Sequence, residues 1–175
     1  LSHVFIDKTL SDHEEVIEKV QFSIKHTRKN NPRAYIILTG HGLKPNGLEQ
    51  YCDFIHWEEN IIKTEINFGH PKLVNIGLKH ANDLGFEYIL KTRADSIHLI
   101  ENIFKFCQNK LGSKQYLITQ KTTLDPDNLG DLFLFGKTEF FLKCWNSQKW
   151  EYKISGLEPH AKNFIHASEC EIFED

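Results

Sequence analysis

The segment with the sequence FEYILKTRAD, from residue 86 to residue 95, constrains the fold more than any other part of the chain. Its first five residues are mainly apolar and typical of a strand buried on both faces of a parallel sheet, with Glu87 near the start. Lys91, Arg93 and Asp95 follow at every second position, so an extended chain places all three on the same side. Because buried charges are costly, we expect these three side chains just past the carboxyl edge of the sheet.

That edge is where open α/β sheets bind their ligands. Two cations and a carboxylate at this place suit a phosphate-bearing ligand, with or without a metal ion, and the alternative is a surface salt-bridge cluster that merely ends a strand. Only three of the 21 basic residues are arginines, namely Arg28, Arg33 and Arg93. Since an arginine presents a planar fork to oxyanions, its use at the sheet edge favours the phosphate ligand.

The rest of the chain alternates between strand and helix patterns. Ser11 with Glu14 forms a capping-box pattern that predicts the start of the first helix, and Gly85 is placed to end the second one. This alternation predicts an α/β fold with a mainly parallel sheet flanked by helices. The predicted strands are 3–7, 35–38, 53–56, 86–90, 116–119, 131–135 and 170–173, and the predicted helices are 11–29, 71–84, 98–110, 137–147 and 158–166.

The composition is that of a soluble globular protein, with 40% hydrophobic and 26% charged residues among 175. This length suits a single domain over residues 1–175, although a chain that begins with Leu1 and lacks methionine is also compatible with a piece of a longer protein. A net charge of −3 argues against a nucleic-acid partner, and no apolar run approaches the roughly 20 residues that span a bilayer. The four cysteines are widely spaced, which favours buried thiols and a cytoplasmic location.

Two motifs resemble those of the WavE-type lipopolysaccharide-synthesis glycosyltransferases. The first is K-T-R-x-D from Lys91 to Asp95, and the second is a D-x-F-x-F-G strand from Asp131 to Gly136, about 35 residues later. With the helix that contains Asn75, the resemblance covers roughly half of the chain. It implies a GT-A-like (Rossmann-like) domain that transfers a sugar from a nucleotide-sugar donor to a glycan or lipid-linked acceptor. The implied setting is surface polysaccharide synthesis, in the cytoplasm or at the inner membrane face.

The resemblance also implies roles for the charged residues of the first motif. Asp95 takes the place of the last aspartate in a D-x-D motif, where it would bind Mg²⁺ or Mn²⁺ or hold the donor sugar. Arg93 occupies the first acidic position of that motif. Lys91 and Arg93 are therefore an alternative to a metal for neutralising the leaving nucleoside diphosphate.

Three further carboxylates are candidate site residues. Asp131 would orient the acceptor hydroxyl or act as general base, and the alternative is a loop aspartate that caps a turn. Glu158 competes for the role of base, although an acidic residue that opens a helix is also explained by the helix dipole. Asp7, at the end of the first strand, would contact the nucleotide base. The strand before Asp7 is superficially similar to the nucleophile strand of the haloacid-dehalogenase phosphatases, but the missing second aspartate of that motif argues against a phosphatase.

Two other functions remain open at the level of sequence. One is a non-catalytic nucleotide-sugar-binding module of a larger protein, which the missing second carboxylate favours. The other is a nucleotidyltransferase, which would release pyrophosphate instead of a nucleoside diphosphate.

Overall fold

The structure is a computed structural model, and it describes residues 1–6, 11–59, 69–94, 96, 101–112, 116–118, 133–144 and 170–172. Within these ranges, strands and helices alternate along the chain as predicted. The predicted helix at 158–166 lies outside the described residues. The strands are β1 (Ser2–Ile6), β2 (Ile37–Gly42), β3 (Phe54–Glu58), β4 (Tyr88–Arg93), β5 (Tyr116–Ile118), β6 (Phe133–Lys137) and β7 (Cys170–Ile172). The helices are α1 (His13–Asn30), α2 (Gly69–Asp83), α3 (Ile103–Leu111) and α4 (Thr138–Cys144).

The described strands form one sheet in the order β3-β2-β1-β4-β6-β5-β7. Strands β3, β2, β1 and β4 are parallel to one another, and β7 is parallel to β5. Strand β6 runs antiparallel to both of its neighbours, β4 and β5. The prediction of an α/β fold with a mainly parallel sheet is therefore confirmed.

Helices cover both faces of this sheet. Val74 and Leu78 of α2 pack with Phe141 of α4 on one face, against Ile37 and Ile89. Helices α1 and α3 cover the other face, where their apolar side chains pack against the alternate residues of the same strands. Successive residues of a strand point to opposite faces of the sheet. Within one strand, therefore, every second residue meets the same pair of helices. We call the two sides the α2/α4 face and the α1/α3 face.

One correction concerns the charges of the segment 86–95. The predicted strand ended at residue 90, whereas β4 begins at Tyr88 and continues to Arg93. Lys91 is paired with Leu134 of β6, and Arg93 with a residue of β1, so backbone pairing on both sides carries the strand through the charges. The prediction that these charges lie just past the edge is wrong for Lys91, which is only 1% exposed, and for Arg93, which is exposed but still paired within the sheet.

The helix-terminal signals gave mixed results. Gly85 has a φ of +76°, and the chain reverses there through hydrogen bonds back to the last turn of α2, so the predicted end of that helix is confirmed. Helix α1 begins at His13 with Asp12 as its N-cap, and no side chain caps it. The predicted capping box of Ser11 and Glu14 is therefore wrong, because the helix starts beyond Ser11.

Candidate active site

The strand order creates a switch point between β1 and β4. The chain moves from β1 to β2 and β3 in one direction, and then returns to form β4 on the other side of β1. Both strands are parallel and point to the same edge, and β1 continues to Ile6 beyond the level at which His3 pairs with Arg93, the last residue of β4. In α/β sheets, a crevice for ligands forms outside the carboxyl ends of strands at such a point. This edge is therefore the candidate active site.

Some of the sequence-predicted site residues follow these strands directly. Asp7 is the next residue after Ile6, the last residue of β1, and Asp95 follows Arg93 by two positions. Asp7, Asp95, Asp131 and Glu158 all lie outside the described residues, so their roles stay predictions. Of the predicted site residues, the structure describes Lys91 and Arg93.

Lys91 and Arg93 share the α2/α4 face, because they have the same parity as the core residue Ile89. They differ in access. Lys91 is buried at 1% exposure, whereas Arg93, the last residue of β4, is exposed. A ligand at the edge can reach Arg93, but it cannot touch Lys91 in this conformation. The predicted direct contact between Lys91 and a diphosphate would therefore require the side chain to leave its buried position.

A polar cluster that the sequence analysis missed lies at the same edge, where β2 and β3 end. Lys72 Nζ of α2 forms an ion pair with Glu58 Oε1 at 2.7 Å. His56 Nε2 lies 3.4 Å from the same oxygen. His41 is directly opposite Glu58 in the register of β2 and β3. A detectable signal was present, since His56 and Glu58 alternate with apolar residues in a short strand.

The electrostatics of this cluster follow from its partial burial. Burial raises the pKa of Glu58, but its contacts with Lys72 and His56 outweigh this effect and hold the pKa below its usual value. Burial lowers the pKa of His41, and the nearby Glu58 opposes that change only in part. His41 is therefore neutral near pH 7, and the edge presents an imidazole beside a carboxylate that is already paired.

The described part of the chain contains neither a cluster of metal ligands nor a membrane-spanning helix. Within it, no group of three or more His, Cys, Asp or Glu side chains could hold a metal ion. Asp95, the predicted ligand, falls outside these residues, so its binding of a Mg²⁺ or Mn²⁺ ion stays a prediction. None of the described helices is long and apolar enough to cross a bilayer.

The sequence matches no family model and no curated protein. Its fold, however, resembles that of several solved structures. The chain is 14% identical, over 98% of its length and 85% of the other chain, to 4-diphosphocytidyl-2C-methyl-D-erythritol synthase from Anaerococcus prevotii, with a TM-score of 0.56. It is 10% identical to a protein from Desulfovibrio desulfuricans assigned as a nucleotide-diphospho-sugar transferase, with 98% and 77% coverage and a TM-score of 0.59.

A third likeness is to the bifunctional IspDF of Campylobacter jejuni, at 12% identity and a TM-score of 0.52. It covers 99% of this chain but only 43% of the larger protein. Identities this low establish the fold alone, and they do not show membership of the WavE-type family. The chain has an α/β fold similar to that of the nucleotide-diphospho-sugar transferases.

Proposed function

We propose that this protein is a glycosyltransferase that moves a sugar from a nucleotide-sugar donor to a glycan or lipid-linked acceptor. The observation that carries the proposal is the switch point between β1 and β4, where the exposed Arg93 ends β4. An exposed arginine at the carboxyl edge provides paired N–H donors for a diphosphate. As part of the same proposal, the enzyme acts in surface polysaccharide synthesis, in the cytoplasm or at the inner membrane face.

In the reaction, the acceptor hydroxyl attacks the anomeric carbon of the donor, and the bond from that carbon to the diphosphate breaks. Negative charge then develops on the leaving phosphate, where a positioned cation stabilises it most. We assign that function to Arg93. Lys91 adds positive charge from the buried sheet without touching the ligand, because a charge in a poorly solvated interior acts over a longer range than one in water.

The remaining roles rest on the predicted carboxylates. Asp95 would hold the donor sugar or a Mg²⁺ or Mn²⁺ ion, and such an ion would supply further charge neutralisation at the diphosphate. Asp7 would contact the nucleotide base. Asp131 or Glu158 would take the proton of the acceptor hydroxyl.

The decisive experiment is a screen of donors with product identification. The protein is incubated with UDP-, GDP- and CMP-sugars, each with and without Mn²⁺ and an acceptor mixture. Release of free nucleotide together with a glycosylated product supports the proposal. Saturable binding of a donor without any turnover would instead indicate the non-catalytic nucleotide-sugar-binding module.

Nucleotidyl transfer is a second candidate, because one protein of similar fold is a diphosphocytidyl-methylerythritol synthase. It would transfer the nucleoside monophosphate group of a nucleoside triphosphate to a phosphorylated acceptor, as the acceptor phosphate attacks the α-phosphorus and pyrophosphate leaves. The same screen, run with CTP or UTP and sugar phosphates, separates the two reactions by their products. Pyrophosphate release that depends on a sugar phosphate would favour this candidate over sugar transfer.

The role of Arg93 has its own test. Arg93→Gln should lower donor turnover by about two orders of magnitude, the loss typical of removing one group that stabilises a developing oxyanion. Arg93→Lys should recover only part of this activity, because an ammonium cannot form the paired hydrogen bonds. Lys79→Gln, an exposed substitution on α2, is the matched control and should leave turnover unchanged. Normal turnover in Arg93→Gln would remove Arg93 from the site.

A further inference from the structure

A concave site lies at the amino ends of β1 and β2, whereas the candidate active site lies at the carboxyl ends of the strands. It is a cavity of about 490 Å³, within the range of about 300–1,000 Å³ that small-molecule sites occupy. Its walls include the first residues of β1 and β2 and the β4 residues Tyr88, Ile89, Leu90 and Thr92, so it lies at the amino edge of β1 and β2, beside β4. The end of α1 and the first two turns of α3, from Ile103 to Gln108, close its sides.

The interior of this cavity is apolar. Ile36, Ile89 and Ile103 form buried parts of its wall, and Phe104 and Tyr88 add aromatic surface. The buried polar residues of the lining are Ser2, Asn31 and Thr92, and the Asn31 amide already donates to the Thr27 carbonyl at 3.2 Å. An apolar ligand would therefore displace water here without leaving this amide unpaired.

The mouth of the cavity carries exposed aromatic rings. Tyr35 and Phe86 are each 38% exposed, and their ring centroids are 5.1 Å apart. The Tyr35 hydroxyl is 3.2 Å from His80 Nε2, which holds the ring in place. Large apolar side chains that remain exposed and fixed at the rim of a cavity are typical of a binding site.

The charge of the lining has one sign. The described lining residues include Arg33, on the loop before β2, and Lys105, on α3, and they include no aspartate or glutamate. Both cations are exposed, and within the described part of the chain neither has a carboxylate partner. By contrast, Arg28 on the adjacent helix is paired with Asp53 at 2.5 Å. In a chain of net charge −3, this lining selects for an anion.

We propose that the cavity at the amino edge binds a monomeric apolar anion, with a medium-chain carboxylate as the simplest member of the class. The aliphatic chain lies against the isoleucines and aromatic rings, and the carboxylate lies at the mouth between Arg33 and Lys105. This site is independent of the glycosyltransferase proposal, because neither Lys91 nor Arg93 lines the cavity.

The test is a calorimetric titration with decanoate, held below the concentration at which it forms micelles, and with decanol as the uncharged analogue. We expect saturable binding of decanoate and weaker binding of decanol. The double variant Arg33→Gln with Lys105→Gln should weaken decanoate binding about tenfold and leave decanol binding unchanged, since exposed ion pairs contribute modestly. Equal affinity for the two ligands, or no saturable binding, would overturn the proposal.

Two further variants locate the site. Lys29→Gln with Lys110→Gln removes the same charge from α1 and α3 at exposed positions away from the cavity, so decanoate binding should not change. Gln108→Trp fills the cavity from an exposed position on α3, and it should abolish binding of both ligands without lowering the melting temperature. A loss of affinity in the lysine control equal to that in the double variant, or full binding in Gln108→Trp, would place the ligand elsewhere.

Discussion

Gly40 gives the sharpest stability prediction in this fold, because a neighbouring side chain occupies the space that a Cβ at this position would need. The ring of Trp57 packs over Gly40, and a Cβ built on this glycine would lie 2.2 Å from the nearest ring carbon. The ring cannot simply move away, since Trp57 Nε1 donates to the Gly42 carbonyl at 2.9 Å. Gly40→Ala therefore forces either a shift of the ring, with loss of this hydrogen bond, or a distortion of β2.

The size of the effect follows from three contributions. Relieving the overlap costs about 1–3 kcal/mol, the usual range for overpacking a core. Losing the Trp57 hydrogen bond costs about 0.5–1.5 kcal/mol. Alanine restricts the unfolded chain more than glycine does, which returns about 0.4–1 kcal/mol. We therefore expect Gly40→Ala to lower the free energy of unfolding by about 2 kcal/mol, and the melting temperature by about 6 °C for a chain of this size.

The assay is a double-mutant cycle by urea denaturation, with Gly40→Ala, Trp57→Ala and the double variant. In the Trp57→Ala background the added methyl group has room, so Gly40→Ala should be neutral or slightly stabilising. The coupling free energy between the two positions should then be about 2–3 kcal/mol. If Gly40→Ala lowers stability equally in both backgrounds, the contact with Trp57 is not the cause and the reasoning fails.

Four further outcomes are expected. Arg28→Lys should destabilise the protein by about 1–2 kcal/mol in urea denaturation, because Arg28 donates to the carbonyls of Tyr51 and Ala34 and to Asp53, and a lysine cannot serve all three acceptors. Burial lowers the pKa of His41 below its usual 6.5, so the unfolded chain binds the proton more readily; stability should fall as the pH drops below 6.5, and less so in His41→Asn. Burial raises the pKa of the Cys52 and Cys107 thiols to about 12, so iodoacetamide at pH 8 should label them slowly until urea is added. Lys91→Met keeps most of the side-chain volume, so the fold should survive. Donor turnover in this variant should fall less than in Arg93→Gln.

The sequence predicted the fold well because its signals are local. The apolar face of α2, the glycine that ends this helix and the apolar start of β4 each depend only on residues that are close together in the sequence. The antiparallel direction of β6 and its position between β4 and β5 are different. They depend on pairing between strands that are distant in the sequence. Strands β4 and β6, for example, are about 45 residues apart along the chain, and no local pattern specifies their pairing. The GT-A-like prediction came from the resemblance, and the comparisons support it at the level of fold.

The candidate site was predictable only in part, for a related physical reason. Alternation placed Lys91 and Arg93 on one face correctly, since that depends only on the strand period. Their depth was not predictable, because the length of β4 depends on partners in β1 and β6. The pairing of Glu58 with Lys72 was missed because it joins β3 to α2, whose contact appears only after the chain has folded.

The difference in depth along β4 changes which residues carry the functional argument. On a strand that leads from the core to an edge, same-face positions become more accessible to a ligand with each step of two residues. Lys91 is buried and Arg93 is exposed, so access on this face begins between them. The next position of the same parity in the sequence is Asp95. Of Lys91 and Arg93, a ligand at the switch point can reach only Arg93, so mutagenesis should begin with Arg93 and with Asp95, the proposed ligand of the donor sugar or a metal ion.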